Sequence, residues 1–140
     1  MAVQSIAVRE FSSQTAKKSA ALRVLVVDDE PLIRWSLAET LGARGYQVVE
    51  CGDARSTRDA VRDTVFDVVL LDLRLPDSDD LSVLASIRQQ SHARVILMTA
   101  FGTWELVRHA LDLGAFRVVG KPFEMDELAD LVAEAGTLPQ

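Results

Sequence analysis

Three short runs of branched apolar residues, Val24-Leu25-Val26-Val27, Val68-Val69-Leu70-Leu71 and Val95-Ile96-Leu97-Met98, are continuous rather than alternating. A strand with one wet face alternates polar and apolar residues. One that is apolar at every position is buried on both faces, as in a central parallel strand covered by helices. Weaker strand signals lie at Tyr46–Glu50 and Phe116–Val119.

Helical spacing fills the intervals. Ile33, Leu37 and Leu41 recur at i, i+4 and i+8, with Pro31 at the start and Gly42 and Gly45 at the end. Asp53 is placed to cap a helix over Ala54–Asp63, and Asp79 or Asp80 to open one that runs to Gln90 with Leu81, Leu84 and Ile87 on one side. Thr103 suits the cap of a helix carrying Val107, Ala110 and Leu111 and stopped by Gly114. Leu128, Leu131, Val132 and Ala135 make the stripe of a last helix. Five strands and five helices in strict alternation predict an α/β fold, a doubly wound five-stranded parallel sheet, because parallel neighbours need right-handed helical crossovers. Residues 1–21, rich in Ser, Ala and Lys, read as a flexible N-terminal tail, residues 22–136 as the folded domain and 137–140 as its C-terminal end.

Charge and cysteine content narrow the function. The net charge is -6. Arg9, Lys17 and Lys18 against Glu10 give residues 1–22 a charge of +2 and leave -8 for the rest. A domain this acidic is a poor grip for nucleic-acid phosphates and a good one for a cation. A single cysteine excludes an internal disulfide framework, and no apolar run approaches the ~20 residues of a membrane helix. The expected location is cytoplasmic.

In a doubly wound sheet the functional crevice lies at the carboxyl ends of the strands. Here the first strand ends in Asp28-Asp29-Glu30, the third in Asp72 and the fourth in Thr99-Ala100, while Lys121-Pro122 follows the fifth. Carboxylates crowded at one rim repel each other, and a divalent cation relieves that repulsion. Hard oxygen donors without His or Cys favour Mg²⁺. An ammonium from Lys121 and a hydroxyl from Thr99 supply the positive charge and the hydrogen bond that an incoming phosphoryl group requires.

The blocks VLVVDDEPLIRWSL, VVLLDLRLPDSDDLSVL, VILMTAFG and GAFRVVGKPF resemble, in order, the signature blocks of bacterial response-regulator receiver domains, the chemotaxis-response-protein-like family with a flavodoxin-like fold. IRWSL and TAFGTWELVRHALDLGA are most similar to receivers of the nitrogen-regulator class of enhancer-binding activators. The resemblance implies a signalling receiver rather than a turnover enzyme. Asp72 would accept a phosphoryl group from a sensor histidine kinase or phosphotransfer protein, and Asp28, Asp29 and Asp72, with the main-chain carbonyl of Arg74, would hold Mg²⁺. Thr99 and Lys121 would bind the phosphoryl group, and Lys121-Pro122 would be cis. The output surface would be helix four, strand five and helix five, controlling transcription, with a homodimer formed through the fourth and fifth helices. Arg74 and Phe101 would flank the attacking water and set the phosphoryl lifetime.

Two positions depart from the family pattern. Asp80 stands where receivers carry Gly, which predicts a shifted loop or a fourth carboxylate near the site. Val118 occupies the place of a switching aromatic, and Phe116, two residues earlier, is expected on the same strand face. Trp35 lies off its helix stripe and is expected to be partly exposed, Trp104 to lie on the rearranging surface, His92 and His109 on the surface, and Cys51 to be inert. Two other readings compete: a magnesium-dependent phosphatase with Asp72 as nucleophile, which would want a second acid where Arg74 stands, and a degenerate receiver acting by protein contact alone.

Overall fold

The computed structural model describes residues 22–138. The tail expected over residues 1–21 and the last two residues of the chain lie outside it. Among the described residues, β1 (Arg23–Val27), β2 (Gln47–Cys51), β3 (Val68–Asp72), β4 (Arg94–Thr99) and β5 (Arg117–Gly120) form one parallel sheet in the order β2-β1-β3-β4-β5. The helices α1 (Pro31–Ala43), α2 (Ala54–Asp63), α3 (Ser82–Gln90), α4 (Trp104–Asp112) and α5 (Met125–Thr137) alternate with them, as expected.

The continuous apolar runs are central strands buried on both faces. Leu25, Val27, Val69, Leu71, Val95 and Leu97 point to one side, where Val61 of α2, Leu84 and Ile87 of α3 and Ala110 of α4 cover them. Val24, Val26, Val68, Leu70, Ile96 and Met98 point to the other, under Leu37 and Leu41 of α1 and Leu128, Val132 and Ala135 of α5. Burying such side chains contributes about 1.5–3 kcal/mol each, so both layers are needed.

Several local expectations require correction. α3 begins at Ser82 with Leu81 in the cap position, not at Asp79 or Asp80. The Asp80 carboxylate accepts the Ser82 N–H (2.9 Å) and the Ser78 hydroxyl (3.4 Å), so it serves the helix from one residue further out. β2 and β5 each start one residue later than expected. Phe116 does not share a face with Val118: it packs with Val119 on the α1–α5 side, whereas Val118 packs on the other. Phe116 precedes β5, and two-residue alternation holds only inside the pleat. On α4 only Ala110 is buried and Leu111 is exposed, so the apolar stripe there is narrower than its spacing suggests.

The caps at Asp53 and Thr103 form as expected, each accepting the backbone N–H three residues on. Gly114 stops α4 with φ +103°, and a Cβ there would lie 2.7 Å from Arg88 Nε. Gly114→Ala is therefore expected to lower stability by about 1–2 kcal/mol, read as a shift of the urea midpoint at unchanged slope.

Candidate phosphoryl-transfer and metal site

Strand register brings the polar rim together. β1 and β3 are neighbours with Val27 opposite Leu71, so the next residues, Asp28 and Asp72, emerge side by side where the strand order reverses. Asp72 is opposite Met98 and Thr99 is opposite Gly120, which delivers Thr99 and then Lys121 to the same rim. One carboxylate oxygen from each of Asp28, Asp29 and Asp72 lies within 4.8 Å of the others. Asp28 is fully buried, Asp72 nearly so, and Asp29 is exposed.

The cation answering these charges is Lys121. Its Nζ donates to Asp28 Oδ2 at 2.9 Å and Asp72 Oδ2 at 3.2 Å, and lies 3.6 Å from Glu30 Oε1. Burial and the Asp28 carboxylate push Asp72 up to about 6, against the opposing pull of Lys121. Burial works against the charge on Lys121, yet its bonds to Asp28 and Asp72 hold it above its ordinary value. The Lys121-Pro122 peptide is cis.

A cavity of about 330 Å³ opens above these groups, lined by Asp29, Glu30, Asp72, Arg74, Thr99, Ala100 and Lys121. The Thr99 hydroxyl accepts the Phe101 N–H at 3.0 Å, and the Arg74 N–H donates to Asp72 Oδ1 at 3.2 Å. The Arg74 guanidinium lies 4.5 Å from the centre of the Phe101 ring, joining the loops after β3 and β4 at the cavity rim. A larger groove of about 450 Å³, lined by Val61, Phe66 and His92 among others, sits at the opposite end of the sheet. The acid there, Asp67, is taken up by the Arg23 N–H at 2.9 Å.

The donor set suits a hard divalent cation, because three carboxylates converge and neither His nor Cys takes part. Asp80 is not the fourth carboxylate that its position allowed, being held in its loop by Ser78 and Ser82. Trp35 and Trp104 are exposed and His92 and His109 lie at the surface, as expected, while Cys51 is buried and that burial raises its thiol.

Two residues around the site, Arg34 and Asp77, escaped the sequence, and a third, Glu30, was named there without a partner. Glu30 reaches Lys121. Arg34 Nη1 donates to the main-chain carbonyl of Asp28 at 2.6 Å and faces Glu50, so it braces the end of β1. Asp77, in the loop after Asp72, accepts the backbone N–H groups of Ala54 and Arg55 at 2.7 and 3.1 Å and ties that loop to the start of α2. Glu30 was visible as a third acid in a row. Arg34 and Asp77 act through contacts that no spacing rule reports.

Comparison with known proteins agrees with this geometry. Residues 24–133 match the family model described as "Response regulator receiver domain". The chain is 34% identical to sporulation initiation phosphotransferase F of Bacillus subtilis over 111 residues, 79% of this chain and 90% of that protein. It is 36% identical to the regulatory protein AtoC of Escherichia coli over 118 residues, 84% of this chain and 26% of that protein. The non-phosphorylated HemR receiver domain from Leptospira biflexa superposes with a TM-score of 0.80 at 26% identity, covering 85% of this chain and 97% of that one. Fold, rim and sequence therefore converge, and the chain belongs to the response regulator receiver domains, the phosphorelay receivers of two-component signalling.

Proposed function

We propose that Asp72 is the phosphoacceptor of this receiver, taking a phosphoryl group from a sensor histidine kinase or phosphotransfer protein. The observation that carries this reading is the bridging of Asp28 and Asp72 by Lys121 at the mouth of one cavity. Asp28, Asp29 and Asp72, with the main-chain carbonyl of Arg74, would hold Mg²⁺, which when bound would supply positive charge to the phosphoryl group in transfer. An Asp72 carboxylate oxygen attacks phosphorus, the bond from phosphorus to the donor nitrogen breaks, and that nitrogen keeps the electron pair. Lys121 is placed to pair with the transferred oxygens. Thr99 donates its hydroxyl proton to them, which it can do without releasing the Phe101 N–H that its oxygen accepts.

The downstream consequence is a shift of a two-state equilibrium at α4, β5 and α5. With Val118 half-buried in the place of a switching aromatic, packing rather than a ring rotation transmits it. The exposed Trp104 at the start of α4 suits a homodimer anchor. The IRWSL block and the similarity to AtoC support a place in the nitrogen-regulator class and a role in transcription control, with no DNA contact by this domain itself. Residues 22–136 are the receiver unit. No helix among the described residues is long and apolar enough to cross a membrane, and a cytoplasmic location fits a reduced Cys51.

Beryllofluoride with Mg²⁺, a mimic of the phosphoryl group, tests the assignment. Saturable binding by the parent and none by Asp72→Asn is the expected result; equal responses of the two would leave only contact-driven switching. The Arg74–Phe101 pair adds a prediction about lifetime. Either Arg74→Ala or Phe101→Ala opens the rim to water and is expected to shorten the life of the acyl phosphate about three- to tenfold, measured as loss of label after the donor is removed.

A further inference from the structure

Glu30 occupies the N-cap position of α1, yet its carboxylate makes no capping bond. Its backbone is held by the N–H bond to Asp28 Oδ1 (2.9 Å), and its side chain, 59% exposed, turns toward Lys121 with Oε1 3.6 Å from Nζ. It lines the site cavity and also the adjoining apolar hollow of about 400 Å³ formed by Ile33, Ala100, Pro122 and Phe123. A donor approaching Lys121 and Asp72 from that side passes this charge.

We propose that Glu30 is a specificity-determining residue of phosphoryl transfer, disfavouring dianionic acyl phosphates and favouring donors whose phosphorus is bonded to a protonated nitrogen. The proposal rests on Asp72 being the phosphoacceptor. Near neutral pH acetyl phosphate arrives as a dianion. Phosphoramidate, like a phosphoimidazole protonated on its ring, carries one negative charge less. In both reactions an Asp72 oxygen forms the new bond to phosphorus and the leaving atom keeps the electron pair. Acetate then departs as an anion beside Glu30, whereas ammonia departs neutral because its nitrogen already holds the proton. Repulsion by Glu30 therefore acts on the acyl donor both on arrival and as its leaving group separates. Lys121 is at the same time partly engaged by Glu30 and less available to the more highly charged donor.

The test compares initial rates of phosphorylation of the full chain with Mg²⁺, by intact mass, for acetyl phosphate and phosphoramidate. Glu30→Gln is expected to raise the acetyl phosphate rate relative to the phosphoramidate rate about fivefold at low ionic strength, the scale of one charge–charge interaction at the protein surface. That gain should shrink at about 0.5 M salt, where the screening length falls to about 4 Å. Glu30→Asp keeps the charge and should keep the parental ratio. An unchanged ratio in Glu30→Gln, a gain indifferent to salt, or Glu30→Asp behaving like Glu30→Gln would each overturn the proposal. Asp72→Asn, run with both donors, should take no label. Label on that variant would instead overturn the assignment of Asp72, an outcome separate from the donor ratio.

Discussion

Asp72→Asn is expected to abolish acyl-phosphate formation while making the metal-free domain more stable at neutral pH. The loss is total because an amide offers no nucleophilic oxygen of comparable strength. The gain follows from the crowding at the rim. Burial and the neighbouring Asp28 raise Asp72 from 3.8 to about 6, so the folded state binds its proton more tightly than the unfolded chain does. For a carboxylate shifted upward the sign is fixed: folding is favoured while the group is protonated, and stability declines as pH rises from the unfolded value to the folded one. Above pH 6 the full cost of the ionised carboxylate is present, and the Asn variant escapes it. Allowing for solvent at the cavity mouth, the difference at pH 7.5 is about 1–2 kcal/mol. It should fade to nothing near pH 4. Urea titrations of both proteins, metal-free, at the two pH values measure it directly. A variant less stable than the parent at pH 7.5 would contradict the electrostatic account of this rim.

Lys121→Met should have the opposite effect and a larger one. Asp28 has no exposed surface, and Lys121 is the one cation bonded to its carboxylate among the described side chains. Removing one partner of a buried ion pair strands the other, at a cost of about 3–5 kcal/mol in closed interiors. The open side of this cavity reduces that to about 2–4 kcal/mol. Mg²⁺ should recover part of the loss, so the midpoint of the variant should rise more on adding Mg²⁺ than that of the parent. The comparison separates a charge effect from a packing effect, since a cation at the carboxylates cannot refill the volume of a lost side chain.

Both predictions concern residues that were legible before any coordinates, and the reason is physical. A parallel strand buried on both faces must be apolar throughout, so the first charged residue after each run marks its end. Asp28, Asp72 and the polar Thr99 stand out against Val27, Leu71 and Met98 for that reason. The helix caps at Asp53 and Thr103 were equally readable, because an N-cap needs only a short acceptor and its own next turn. Phe116 was misplaced because it precedes β5, and the alternation that would put it on the face of Val118 holds only within the strand. The start of α3 was misplaced because Asp80 can satisfy a helical N–H from outside the cap position.

The sequence alone determined the alternation of strands and helices, the ends of the strands and the chemical character of the rim, all consequences of period and polarity along a single chain. The tertiary structure decided which partners those groups acquired: Lys121 shared between Asp28 and Asp72, Glu30 drawn to the same ammonium, Arg34 on the carbonyl of Asp28, and Asp77 on the start of α2. Distances of a few ångströms between residues far apart in the chain depend on strand register and side-chain direction together, and neither is written in local pattern.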